Sequence, residues 1–107
     1  MKVIATLIMA LLPMFASAVE PVWIDVRTAG EFNGGHLAAA TNIPHGEVTE
    51  RVPAIVEDKE TPLYIYCRSG NRAGIAKRAL EAQGYTNVKN VGGLSDAENL
   101  FTEMQAQ

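Results

Sequence analysis

Leu63-Tyr-Ile-Tyr66 is apolar at four consecutive positions. A strand with no polar side has to be covered on both faces, which is the setting of an inner strand in a parallel sheet. The neighbouring segments agree with it. Val22-Trp-Ile-Asp-Val26 is rich in strand-forming residues and reads as a second strand. Thr28-Ala-Gly-Glu31 follows as a capping box, so a brief helical turn starts there, and Asn33-Gly-Gly35 ends it. Ala38 to Ile43 is a short extended segment stopped by Pro44. Val48, Val52 and Ile55 recur at helical spacing within Glu47 to Val56, where Pro53 must kink the helix or split it. Asn87 to Val91 is less apolar and fits a strand towards the sheet edge.

Two more helices are expected. Ala73 to Gln83 carries Ile75, Ala76, Ala79 and Leu80 on its inner face and ends at Gly84. Ser95-Asp-Ala-Glu98 reads as a second capping box, opening a helix with Ala97, Leu100, Phe101 and Met104 turned inward. Strands alternating with helices over short links predict an α/β fold, a small mostly parallel sheet flanked by helices.

Sheets of this kind bind ligands beyond the carboxyl ends of their strands. Cys67, the single cysteine of the chain, lies just past the end of the most apolar strand. The loop Cys67-Arg68-Ser69-Gly70-Asn71-Arg72 leads from it into a helix. The first N–H groups of that helix have no intrahelical partner and point back at the loop. Gly70 can take backbone angles closed to other residues, and Asn71 tolerates them better than most. Inward-turned amides and the positive helix end make an anion cradle, and Arg72 adds a permanent cation. A thiol in that cradle ionises more readily than a free one. Cys67 is therefore the expected nucleophile, with Arg68, Ser69, Gly70, Asn71 and Arg72 as its binding loop.

The amino end sets the compartment. Met1-Lys2 is followed by an apolar stretch from Val3 to Phe15, broken only by Thr6, and by Ala16-Ser17-Ala18, a small-x-small cleavage pattern. The expected organisation is a cleaved signal peptide over 1–18 and one domain over 19–107, exported to the periplasm. Without Lys2 the chain holds eight basic residues against twelve acidic ones, a net charge of about −4. A mildly acidic chain with no basic run argues against nucleic acid and against anionic membrane surfaces. One cysteine cannot form an internal disulfide, and an odd cysteine in an exported chain points to a reactive thiol or an intermolecular bridge.

With these residues in view the sequence resembles the single-domain rhodaneses, most closely the small periplasmic rhodaneses of the phage-shock-protein-E type. The resemblance rests on Trp23-Ile-Asp-Val-Arg27 with Glu31-Phe32, Gly35-His-Leu37, Ala40 and Asn42-Ile-Pro44, on Cys67 to Ala73, and on Gly84-Tyr85 with Gly92-Gly-Leu94. It implies a thiosulfate sulfurtransferase: the Cys67 thiolate takes the outer sulfur of thiosulfate as a persulfide and passes it to cyanide or a thiol. It implies no metal and no organic cofactor, and a monomer is expected. Related phosphatases and arsenate reductases need a longer Cys-x-x-x-x-x-Arg loop, whereas Arg72 closes Cys-x-x-x-x-Arg here. A persulfide carrier with little turnover is the alternative; an oxyanion reductase or phosphatase is disfavoured by loop length. Larger rhodaneses carry a strand and helix ahead of the Asp-Val-Arg strand, so about four strands are expected here. They also often place a Trp where this chain has Ser95-Asp-Ala97, which leaves the docking of the last helix open.

Asp25 and Arg27 are candidates for a supporting role and are read mainly as scaffold, with Arg27 pairing Glu31. His36 is read as structural because the proposed thiolate needs no base, and His45 is assigned nothing. Trp23, Phe32, Tyr64 and Tyr66 are read as core or pocket wall.

Overall fold

The computed structural model describes residues 20–107, and the expected leader at 1–18 lies outside them. Four strands form one sheet: β1 (Val22–Asp25), β2 (Ala40–Asn42), β3 (Leu63–Cys67) and β4 (Val88–Gly93). Their order is β2-β1-β3-β4, and every pairing is parallel. The four helices are α1 (Ala29–Asn33), α2 (Val48–Ile55), α3 (Asn71–Ala82) and α4 (Leu94–Gln105). β4 lies at an edge, as its weaker apolar content predicts, and β3 lies inside.

The strand alternation divides the core in two. Ile24, Val26, Leu63, Ile65 and Cys67 face α2 and α3, where they pack with Val48, Val52, Ala73, Ala76 and Leu80. Trp23 and Tyr66 face the other way, onto Ala97 and the partly buried Leu100, Phe101 and Met104 of α4. Trp23 meets Tyr64 at 4.8 Å and Phe101 edge-on at 5.5 Å. Docking of α4, in doubt without a Trp near its start, is thus secured by an indole from β1.

Of the two outcomes expected at Pro53, a split does not occur: α2 continues through it to Ile55. The proline removes the N–H that would reach the Thr49 carbonyl. Gln83, just past the end of the next helix, replaces it, donating Nε2 to that carbonyl at 2.9 Å. Ile75 is 42 % exposed rather than inward, because α3 buries the Ala73, Ala76, Leu80 stripe. The last helix starts at Leu94, one residue before the expected Ser95 cap. Gly93 is still paired in the sheet, and Asp96 Oδ2 accepts its N–H at 2.9 Å.

Candidate active site

β3 delivers Cys67 to the carboxyl edge of the sheet, and only Arg68, Ser69 and Gly70 separate it from α3. Gly70 makes so short a turn workable. It sits at φ +99°, a left-handed conformation that costs other residues heavily. Asn71 does not share that role: among the described residues only glycines have positive φ, and Asn71 is already the first helical residue.

The turn aims main-chain donors at sulfur. Gly70 N–H donates to Cys67 Sγ at 2.9 Å and Ala73 N–H at 3.4 Å. Burial pushes the thiol's pKa up. The amides of Ala73, Gly70, Ser69 and Arg72 outweigh it and leave the pKa below its ordinary value. Ala73 was outside the loop singled out in the sequence, yet its N–H belongs to the unpartnered first turn of α3, so helix-end logic was enough to find it. The neighbouring strand end supports the cup closely. A Cβ on Gly93 would run into the Arg68 carbonyl, so only glycine fits where β4 passes the loop. The sulfur itself lies deep, with 1 % of Cys67 exposed.

The charges around the cup are mostly paired. Arg72 forks onto Glu31, with Nη1 at 2.8 Å from Oε1 and Nη2 at 3.0 Å from Oε2. Glu31 also completes the expected capping box: Thr28 N–H donates to its Oε1 at 3.0 Å and Glu31 N–H to Thr28 Oγ1 at 3.2 Å. The Arg72 hydrogen bonds, helped by those from Thr28, pull the Glu31 carboxyl down to about 2.

Arg27 does not pair with Glu31 as expected. It lies on Asp25, donating Nε to Oδ1 at 2.9 Å and Nη2 to Oδ2 at 2.6 Å, and it reaches the Gly35 carbonyl at 2.7 Å. The reason is burial. Asp25 is completely covered, so its charge requires the nearest guanidinium, while Glu31 is left to the loop arginine. Asp25 and Arg27 are thus bonded to each other and to the Gly35 carbonyl at the β1 end, and not to Cys67. Arg68 is exposed and forms no salt bridge among the described residues. His36 is exposed and stacked on Phe32 at 3.6 Å, with Nδ1 2.8 Å from the Phe32 carbonyl.

The chain matches known proteins along most of its length. A profile of the rhodanese-like domain matches residues 12–99. Thiosulfate sulfurtransferase PspE of Escherichia coli K12 is 44% identical over 85 residues, which is 79% of this chain and 79% of that protein. YrkF of Bacillus subtilis, described provisionally as a sulfur carrier, is 38% identical over 68 residues, 64% of this chain and 36% of that protein. Among solved structures, one described as a rhodanese with anions from E. coli superposes with a TM-score of 0.69 at 43% identity, covering 72% of this chain and 91% of the other.

Proposed function

The chain belongs to the rhodanese-like domain family, and from that premise we propose that it is a thiosulfate sulfurtransferase carrying sulfur as a persulfide on Cys67. In the first half-reaction the Cys67 thiolate attacks the outer sulfur of thiosulfate. The donor's S–S bond breaks, its electron pair leaves on sulfite, and the persulfide remains. In the second, an acceptor attacks the outer sulfur and the electron pair returns to Cys67. Cyanide then leaves as thiocyanate, and a thiol leaves as a persulfide after losing its proton.

The observation that carries this reading is the pair of main-chain N–H groups on Sγ, from Gly70 and Ala73. Fixed donors of this kind stabilise negative charge without reorganising, and both the thiolate and the persulfide are anions. Ser69 and Arg72 add their amides, Arg68 supplies the rim's free charge, and Asn71 opens the helix whose positive end faces the site. Asp25 and Arg27 support the loop from the next strand. A donor reaches so deep a sulfur only when the rim side chains part. We further propose that residues 1–18 are removed as a signal peptide, that the domain over 19–107 works as a monomer in the periplasm, and that neither metal nor organic cofactor takes part.

The test is to incubate the mature protein with thiosulfate and cyanide and to follow thiocyanate. Turnover that disappears in Cys67→Ser supports the enzyme, with a loss of about 10³-fold or more expected for removing a covalent nucleophile. A second reading is favoured by the 1 % exposure of Cys67: a sulfur carrier that opens only to a docked partner. A persulfide seen by mass spectrometry without turnover selects the carrier, and phosphate release from an aryl phosphate overturns sulfur transfer altogether.

A further inference from the structure

Asn90 lies on β4, twenty-three positions beyond the cysteine and exposed, so no core packing depends on its side chain. Its two polar ends are nonetheless both engaged. Nδ2 donates to the Gly70 carbonyl at 2.9 Å, and Oδ1 accepts the Gly92 N–H at 3.0 Å. The second bond spans an irregularity in the sheet: Ile65 is in register with Asn90, but Tyr66 is in register with Gly92, so Val91 is skipped. Bulges of this kind bend an edge strand and re-aim its side chains. Here the bend turns Asn90 over the loop that follows β3.

Gly70 is where that reach matters. Its carbonyl accepts both Asn90 Nδ2 and the first helical bond, from Gly74 N–H at 2.9 Å, while its own N–H points to the sulfur at 2.9 Å. The two groups share one α-carbon, so holding the carbonyl fixes the pair of dihedrals that aims the N–H. Glycine is the residue with the most backbone freedom to lose, and an unheld glycine turns its amide away most easily. We infer that Asn90 is a positioning residue for the sulfur cradle, locking Gly70 so that its N–H stays on Cys67. The role rests on the sulfurtransferase reading for its consequence in turnover, and on geometry alone for its effect on the thiol.

Asn90→Ala removes both bonds, and Asn90→Leu removes them while keeping the side chain's bulk. In the mature protein, thiolate absorbance followed against pH reports the cradle directly, and thiocyanate formation reports catalysis. Both variants should titrate at higher pH than the wild type and lose about tenfold in kcat/KM for thiosulfate, less than the loss of a direct oxyanion donor. Their unfolding midpoints should stay close to that of the wild type. Thiolate titrations that match the wild type in both variants overturn the inference and leave Asn90 a surface residue. A wild type that forms no thiocyanate overturns the sulfurtransferase reading instead, and the titration still decides the role of Asn90.

Discussion

Two loops leave neighbouring strands at the same edge of the sheet, one from β1 at Asp25 and one from β3 at Cys67, and each runs into a helix. They are ordered by different means. The first is tied by side-chain charge: Asp25 holds Arg27, Asn42 Nδ2 donates to the carbonyls of Asp25 and Arg27, and Thr28 and Glu31 cap α1. The second is tied through the main chain, with amides turned onto one sulfur and a glycine at positive φ between them. A loop fixed by side chains spends its charges on holding structure: Asp25 and Arg27 on each other, Glu31 on Thr28 and on Arg72 across the gap. A loop fixed by its backbone leaves its donors pointing inward, free to serve whatever anion sits on the cysteine. Asp25 and Arg27 are spent on each other and on the Gly35 carbonyl, at the end of the strand beside β3.

Substitutions should separate the two loops, and the largest effect belongs to the first. Arg27→Ala leaves a fully buried carboxylate without its partner, and losing one member of a buried pair costs about 3–5 kcal/mol. Urea unfolding should show that loss, while the fraction still folded keeps a thiolate titration close to that of the wild type. A large shift of the titration in this variant breaks the comparison, because the two loops then act as one. Gly70→Ala should reverse the pattern. A Cβ there meets Asn90 Oδ1 only at an ordinary 3.6 Å, so the cost lies in φ +99°, about 1–2 kcal/mol for a side chain in that region. The thiolate should then titrate at higher pH, since the strained residue carries the shortest N–H contact.

The smallest effect belongs to the link between the loops, Glu31 on Arg72. The Glu31 carboxyl stands at about 2 in the folded chain, below its ordinary 4.5. A depressed acid contributes in full above its ordinary value and loses that contribution as pH falls through its folded one. The stability difference between wild type and Glu31→Gln should thus be present at pH 7, shrink below pH 4.5 and vanish near pH 2. Acid unfolding of the two proteins measures it. A difference that is constant with pH removes the ion pair from the account.

The same contrast decides what the sequence made legible. Thr28 and Glu31 are three residues apart, and a capping box is a local pattern, so the turn after β1 is read correctly. The partner of Glu31 is not local. Arg72 lies 41 positions away, and only the side-by-side placement of β1 and β3 brings it there. Arg27 was assigned to Glu31 by proximity in the chain, when the depth of Asp25 was the stronger demand. At Cys67 the glycine, the arginines and the strand-to-helix junction identify the site and its loop. The amide of Ala73 was missed although it belongs to the same helix end, and Asn90 could not be found because its reach depends on a bulge that no residue pattern announces. The parallel sheet was legible because its two inner strands, β1 and β3, are apolar and each segment read as a strand is followed by a helix signal. Ile75 was misplaced because α3 buries alanines, whose small side chains let it lie close to the sheet, and the bulkier isoleucine falls outside that stripe.

The most direct measurement is a pH titration of thiolate absorbance on the unmodified protein, in which Cys67 is the only thiol. If main-chain N–H groups and the end of α3 hold anionic sulfur as described, the midpoint falls below the ~8.5 of a free cysteine. A midpoint at or above that value would mean that burial wins over the amides, and Cys67 would then be a core residue beside an ordinary turn.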